Sequence, residues 1–295
     1  MVWIWAVCLM ILSSPISGLA GERAPAALAR AARASTAHAY PAHFANLPPM
    51  ASLPSGAQCA AWVRARREGA ESQPANRIYN AAVPTAAELA AFHAKPVFDG
   101  HVSAWDFARV DGDFSGSTDQ ILRWAACKWG IDEDLLRAQA WAESKWKQAA
   151  AGDPRRDPAQ CKAGNWNGWN GNSCLQSYGI LQVKVFDFNT WPEARDSTAF
   201  NADFRAAYQR ACVNGDIGYL RERTPLPGYP SYPAYDTEQA AWGCIGDWFS
   251  GGWYDAGALS YIKQVKQAYV MRPWLRLTRP AVAGPNQPVE ATSRQ

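Results

Sequence analysis

Six cysteines between positions 59 and 244 constrain the fold of this 295-residue chain more than any other feature. The chain has seven cysteines, but Cys8 lies in an apolar N-terminal segment that we expect to be removed. An even number of cysteines in an exported chain predicts disulfides. The predicted disulfide residues are Cys59, Cys127, Cys161, Cys174, Cys212 and Cys244. Only the pair Cys161 and Cys174 follows from position, as a clamp on the loop between them. A metal site is disfavoured, because Cys-x-x-Cys spacing and nearby histidines are missing.

The N-terminal residues predict export. An apolar run from Val2 to Leu12 is followed by small residues up to Ala20, which is typical of a signal peptide over residues 1–20. A positively charged start is missing, so a short membrane anchor is the alternative, although the run is short for a stable membrane span. We expect an exported protein, either periplasmic or extracellular in the cell wall.

The rest of the chain divides into four segments by composition. Residues 21–55 are rich in Ala and Pro and predict a linker. Residues 56–114 predict an N-terminal extension of mixed or irregular structure that packs on the following domain. Residues 115–272 predict a mainly α-helical domain, and residues 273–295 a disordered tail. A hydrophobic content of 48% is enough for one substantial core, and the net charge of +3 is too small to indicate nucleic-acid binding.

One predicted helix, from Glu133 to Gln148, carries a candidate acid. Asp132 is suited to cap its start, and the sequence Gly152-Asp153-Pro154 provides a stop. Leu136, Ala140 and Glu143 share one face, so Glu143 lies on or beside an apolar stripe. Burial would raise the pKa of this carboxyl, as a general acid near neutral pH requires. The alternative is a surface ion pair with Lys147, four residues later.

Further helices are predicted on either side. They cover Asp119–Trp129, capped by Ser117 or Thr118, and the regions Asn201–Val213, Asp236–Phe249 and Ala256–Tyr269. The stretch from Gly152 to about Gln176 predicts a long irregular loop. Within it, Trp166 and Trp169 offer flat faces either to sugar rings or to the core.

The motifs around Glu143 resemble a known family. Glu143-Ser144, followed by Gly179-Ile180-Leu181-Gln182, is similar to the soluble lytic transglycosylase domain, which is related to goose-type lysozyme. The similarity extends upstream over residues 121–132 and downstream to residues 200–203 and 261–265, so it covers roughly residues 115–272. The resemblance implies a lysozyme-like α-helical fold and peptidoglycan glycan strands as the partner.

The resemblance also implies a mechanism. Glu143 would act first as acid and then as base, cutting the MurNAc-GlcNAc β-1,4 bond to leave a 1,6-anhydro-MurNAc end. Support or substrate contacts would come from six residues of the motifs and their neighbourhood: Ser144, Ser177, Tyr178, Gly179, Gln182 and Tyr261. The loop tryptophans Trp166 and Trp169 are further candidates. Core packing is the alternative for Tyr178 and Tyr261. We expect a monomer without cofactor or metal.

One departure from the family leaves alternatives open. The family's Ala-Tyr-Asn-Ala-Gly stretch is replaced here over residues 240–249, so the substrate contacts of that tyrosine and asparagine do not transfer. Two alternatives to a transglycosylase therefore stay open: a hydrolase of the same fold that uses water, and a non-catalytic wall-binding scaffold. Asp187, Asp203 and Asp247 are candidates for a second carboxylate, although we expect surface roles for them. All four histidines precede residue 115, which disfavours a Ser-His or Cys-His nucleophile in this domain.

Overall fold

The computed structural model describes residues 41–66, 70–95, 107–161 and 170–277, and this part of the chain is mainly helical. The predicted signal peptide, the linker up to residue 40, Trp166, Trp169 and the tail from residue 278 lie outside the described residues. The helices are α1 (Gly56–Ala65), α2 (Arg77–Asn80), α3 (Ala86–His93), α4 (Thr118–Trp129), α5 (Glu133–Ser144), α6 (Pro158–Cys161), α7 (Val185–Phe188), α8 (Glu193–Asp196), α9 (Thr198–Asn214), α10 (Thr237–Ser250) and α11 (Ala256–Met271).

Local caps explain where the long helices begin. In α4, α5, α9, α10 and α11 the residue before the helix has a side-chain oxygen that accepts a backbone N–H of the first turn. These residues are Ser117, Asp132, Ser197, Asp236 and Asp255. The predicted helices therefore correspond to α4, α5, α9, α10 and α11. However, α5 ends at Ser144 and not at Gln148, since Lys145 and Trp146 adopt positive φ angles.

The core is organised around α9. Residues 198–213 of this helix are all buried, because α4 and α10 pack on it from different sides. Helix α11 pairs with α10 and also with α5, which brings the C-terminal end of α5 next to α11. This packing places Glu143 at a junction of three long helices.

A small antiparallel sheet lies where the sequence predicted an irregular loop. Its strands are β1 (Ala151–Arg155), β2 (Cys174–Tyr178) and β3 (Val183–Lys184), in the order β1-β2-β3. Ala151 lies opposite Tyr178, and Tyr178 lies opposite Val183. The prediction of irregular structure from Gly152 to Gln176 is wrong at both ends, because long-range pairing orders turn-forming residues that have little strand propensity of their own.

The described residues before position 115 pack on the helical body. The disulfide Cys59–Cys127 joins α1 to α4, and Glu71 accepts the first backbone N–H of α4 from Thr118 at 2.7 Å. The linker was predicted to extend to residue 55, but Phe44 is buried and the Leu47 N–H donates to the Gly130 carbonyl at 2.9 Å. The linker must therefore end before residue 44.

The predicted tail also begins too early. Residues Pro273–Arg276 form a 3₁₀ turn, and Trp274 is buried against Trp146, with ring centroids 6.0 Å apart. The apolar area of this tryptophan outweighs the tendency of Pro273 to end regular structure. Among the described residues, no helix is long and apolar enough to cross a membrane.

Three disulfides link Cys59 to Cys127, Cys161 to Cys174 and Cys212 to Cys244. The second is the pair that the sequence analysis singled out. The Cys212–Cys244 bond ties α9 to α10 behind the site described below.

Removal of the longest-range disulfide is expected to destabilise the protein most. The cysteines of Cys59–Cys127 are 68 residues apart, against 13 for Cys161–Cys174. Loop-closure entropy then predicts a loss of roughly 4 kcal/mol for the Cys59→Ala/Cys127→Ala variant and roughly 3 kcal/mol for the Cys161→Ala/Cys174→Ala variant. Urea unfolding followed by tryptophan fluorescence measures both. The reverse ranking would contradict the chain-entropy account.

Candidate active site

Glu143 lies in the last turn of α5, partly buried where α5 packs against α11. Its carboxyl oxygen Oε1 accepts a short hydrogen bond from the hydroxyl of Tyr261 on α11. The side chain therefore points into the helix junction. A surface ion pair with Lys147, the alternative from sequence, does not form within the described structure.

The surroundings of Glu143 favour its protonated form. Burial raises the pKa of this carboxyl to about 7. The Tyr261 hydroxyl, the Arg205 charge, the Trp248 indole and the Lys145 charge oppose this rise without cancelling it. Near neutral pH the group is thus divided between a proton donor and a proton acceptor, as acid–base chemistry on a single residue requires.

Tyr261 is placed to orient the Glu143 carboxyl. The tyrosine is buried, and its ring stacks on Phe249 with centroids 4.9 Å apart and nearly parallel planes. Burial and the neighbouring Glu143 raise the pKa of this hydroxyl well above its usual value, so it stays a donor. The ring of Tyr261 is packed in the protein and its hydroxyl is bonded to Glu143. Tyr261 therefore contributes to packing and also orients the Glu143 carboxyl.

Ser144 and the segment Gly179–Gln182 form a support beneath Glu143. The Ser144 hydroxyl donates to the Ile180 carbonyl at 2.8 Å. The Ile180 N–H donates to the side chain of Gln148, and the Leu181 N–H to that of Asn201, each at 2.9 Å. Ser144 is buried and engaged with backbone, so it holds the segment in place rather than facing a ligand.

The protein's own packing and backbone conformation require glycine at position 179. Its φ angle is +83°, and an added Cβ would overlap Asn201 Nδ2 and lie 2.7 Å from the Ala194 carbonyl oxygen. The Asn201 amide donates to the carbonyls of Tyr178 and Ala194, each at 2.8 Å. Asn201 therefore fills the space that a side chain at position 179 would need.

The other predicted contact residues are spread around this segment. Gln182 lies at the border of a pocket, and its amide donates to the carbonyls of Gly179 and Ala150 at 2.9 and 3.2 Å. Tyr178 is partly buried and packs edge-on against Trp191. Ser177 is buried within β2. Of these three, only Gln182 borders the pocket.

An open pocket of about 170 Å³ lies near Glu143, although Glu143 itself does not line it. Its wall includes Gln182, Asp187, Tyr219, Asp247, Trp248 and Phe249. Trp248 and Phe249 connect the pocket to the acid, since the Trp248 indole interacts with Glu143 and Phe249 stacks on Tyr261. Phe249 is 59% exposed and offers a flat apolar face to a ligand.

Two charged side chains near the pocket are buried, which the sequence analysis did not predict. Asp247, expected at the surface, is 2% exposed and accepts hydroxyls from Tyr208 at 2.9 Å and Tyr219 at 2.6 Å. Arg205 is fully buried, with its guanidinium over the Trp248 ring at 4.5 Å. The two tyrosines that bond Asp247 and the tryptophan that packs on Arg205 come from distant positions along the chain, so no local pattern indicated this burial.

Asp203 was also expected at the surface and is fully buried. Its carboxylate accepts from Lys128 at 2.8 Å and from the Trp129 indole at 2.6 Å, and it caps the backbone at residues 111 and 112. It holds α9 to α4 and does not line the pocket described above. Asp187, partly exposed, borders the pocket.

One group of ligand atoms has metal-like spacing. Atoms of His43, Asp132 and Asp134 lie within 4.8 Å of one another. However, Asp132 caps α5, and Asp134 is paired with Arg137 at 3.1 Å and Arg272 at 2.6 Å. The carboxylates already have partners, so we assign them a structural role at the start of α5.

Comparisons of the chain with protein-family models, curated proteins and solved structures found no significant match. The function is therefore argued from the geometry of Glu143 and its neighbours.

Replacement of Tyr261 by phenylalanine is expected to raise the pKa of Glu143. The hydroxyl donates to the charged form of the carboxyl, so its removal disfavours ionisation and moves the pKa above its present value of about 7. A hydrogen bond to a charged group is worth about 1.5–3 kcal/mol, which corresponds to roughly one pH unit or more. ¹³C NMR titration of the Glu143 carboxyl measures this.

The matched control is Tyr269→Phe, on the same helix. The Tyr269 hydroxyl lies 3.5 Å from Asp132 and does not contact Glu143. The control should leave the Glu143 titration midpoint in place. A midpoint that stays or falls in Tyr261→Phe contradicts the assigned role of the hydroxyl.

Proposed function

We propose that this protein is an exported peptidoglycan-cleaving enzyme of the lytic transglycosylase type, with a lysozyme-like catalytic domain. The observation that carries the proposal is Glu143, a partly buried acid with a pKa of about 7, oriented by Tyr261 near an open pocket. The three disulfides are consistent with export. The substrate class and the lysozyme-like fold rest on the sequence resemblance.

In the first step Glu143 donates its proton to the glycosidic oxygen. The bond between that oxygen and C1 of the MurNAc ring breaks, and the leaving sugar departs with a new 4-hydroxyl group. Positive charge develops at C1 in an oxocarbenium-like transition state. The Glu143 carboxylate that results is stabilised by the Tyr261 hydroxyl and by the positive charges of Arg205 and Lys145.

In the second step the Glu143 carboxylate takes the proton of the sugar's own 6-hydroxyl. The 6-oxygen then bonds to C1 and closes the 1,6-anhydro ring, and Glu143 is again protonated for the next cycle. Water is neither consumed nor released.

The second candidate function is hydrolysis on the same site. A hydrolase of this kind usually needs a second carboxylate to position water. Asp247 is poorly suited, since each of its oxygens already accepts a tyrosine hydroxyl. Asp187 is partly exposed in the pocket wall and keeps this candidate open.

Product analysis tests the proposal. Purified peptidoglycan is incubated with the protein, and the soluble products are analysed by mass spectrometry before and after borohydride reduction. A transglycosylase gives products that are one water lighter than the hydrolytic ones and resist reduction. Reducible ends would instead indicate the hydrolase, and binding without any soluble product would indicate a non-catalytic wall-binding protein.

A further inference from the structure

Arg205 and Asp247 are buried charged groups that the proposed mechanism leaves without a defined part. The Arg205 guanidinium donates to Gln209 at 2.7 Å, whereas its Nε and Nη1 atoms make no hydrogen bond to any residue that the structure describes. Burial lowers the pKa of this group to about 10, so it remains a cation at neutral pH. Nearby carboxylates balance this positive charge by electrostatic interaction, without a direct hydrogen bond to the guanidinium in the described part of the chain.

Two carboxyls act on this cation, Glu143 from α5 and Asp247 from α10. Burial of a net charge is costly, so a cluster of one cation and two acids is most stable when one acid is charged and the other is protonated. The hydrogen bonds decide which acid holds the proton.

Asp247 is the better anion. Each of its oxygens accepts a tyrosine hydroxyl, from Tyr208 on α9 and from Tyr219 in the 3₁₀ segment Gly218–Glu222. Glu143 accepts one hydroxyl, from Tyr261, with the Trp248 indole as the weaker donor. In agreement, burial raises the pKa of Asp247 to only about 6, against about 7 for Glu143.

We propose that Asp247 is a positioning residue that acts through Arg205: it carries the negative charge that balances the buried guanidinium, and so leaves Glu143 free to hold the proton. The inference deepens the proposed function, on which it rests for the acid role of Glu143. Without the Asp247 charge, Arg205 would draw the negative charge onto Glu143, and the acid would be lost near neutral pH.

The other ionisable groups that face the two acids are few among the described residues. Lys145, just beyond α5, and Tyr261 face Glu143, whereas Arg223, just beyond the 3₁₀ segment, acts on Asp247 together with the two tyrosines. Lys145 and Arg223 favour the charged form of their neighbouring acid. Both residues are unchanged in the variants below, so a shift of the Glu143 titration midpoint in Asp247→Asn results from the loss of the Asp247 charge.

The test is the titration of the Glu143 carboxyl by ¹³C NMR, in the parent protein and in Asp247→Asn. The Glu143 signal is assigned by its loss in Glu143→Gln. Asparagine keeps the size of the side chain but removes the charge, so the Glu143 midpoint should fall by about one pH unit. Because no substrate is present, the result does not depend on what the protein cleaves.

Asp187→Asn is the matched control. It removes a carboxylate from the same pocket wall, but Asp187 is not among the main charges that act on Arg205, whereas Asp247 is. We expect it to move the midpoint by less than half as much. An equal effect in both variants would overturn the proposal, since the shift would then reflect only the general field of the pocket.

Tyr219→Phe provides a milder variant where Asp247→Asn does not fold. It removes one hydroxyl donor, makes Asp247 a poorer anion and should lower the Glu143 midpoint by a smaller amount. A midpoint that stays or rises in the folded variants overturns the proposal. If instead the midpoint falls but peptidoglycan is not cleaved, the proposed function fails while the charge coupling stands.

Discussion

Replacement of Glu143 by glutamine is expected to reduce the release of soluble products from peptidoglycan by about 10²- to 10⁴-fold. Glutamine keeps the shape of the side chain and can still accept a hydrogen bond from Tyr261, but it supplies no proton to the leaving oxygen. Both steps of the proposed mechanism use this group, so the loss should appear at every pH. The initial rate of product release measures it.

The same substitution is expected to stabilise the fold at alkaline pH. The pKa of Glu143 is about 7 in the folded protein, above the ordinary value of 4.5. The folded state therefore holds a proton more tightly than the unfolded state, and stability is lost as pH rises from about 4.5 to about 7. Glutamine does not titrate, so at pH 8 the variant should be more stable by about 1–3 kcal/mol.

Opposite signs for activity and stability distinguish a catalytic acid from a structural residue. A glutamate that only held the helices together would lose both when replaced. Glu238→Gln, at an exposed position in the first turn of α10, serves as the control and should change neither quantity appreciably. Undiminished product release by Glu143→Gln would overturn the assignment.

The helices between residues 115 and 272 were predictable because their signals are local. Ser117, Asp132 and Asp236 each cap the helix that follows through a side chain next to it in sequence, and the apolar spacing fixes the buried face. The resemblance implied a support or substrate contact for Tyr261, but the spacing did not indicate its bond to Glu143. It spans 118 residues, and nothing in either helix alone indicates it.

The sheet and the buried charges were not predictable for a related reason. The strand Ala151–Arg155 contains Gly152 and Pro154, which are typical of turns, and is ordered only by pairing with β2. The sequence around a helical aspartate such as Asp247 does not indicate whether its side chain is buried or exposed. Its two tyrosine partners lie 39 and 28 residues away.

Replacement of Gly179 by alanine is expected to destabilise the fold by about 2–5 kcal/mol. The φ angle of +83° costs an alanine about 1–2 kcal/mol, and the overlap of its Cβ with Asn201 adds about 1–3 kcal/mol. Relief of the overlap would move Asn201, whose side chain also accepts the Leu181 N–H. The support beneath Glu143 would shift with it, so activity should fall even at temperatures where the variant remains folded.

Gly228→Ala separates the two contributions. Gly228 has a φ angle of +89°, close to that of Gly179, but a Cβ there would meet no atom within 4 Å. Urea unfolding should therefore show the conformational cost alone, about 1–2 kcal/mol, for Gly228→Ala. The difference between the two variants is the cost of displacing Asn201. If both variants lose the same stability, the contact between Gly179 and Asn201 has no energetic weight, and the segment beneath Glu143 is held by its other hydrogen bonds.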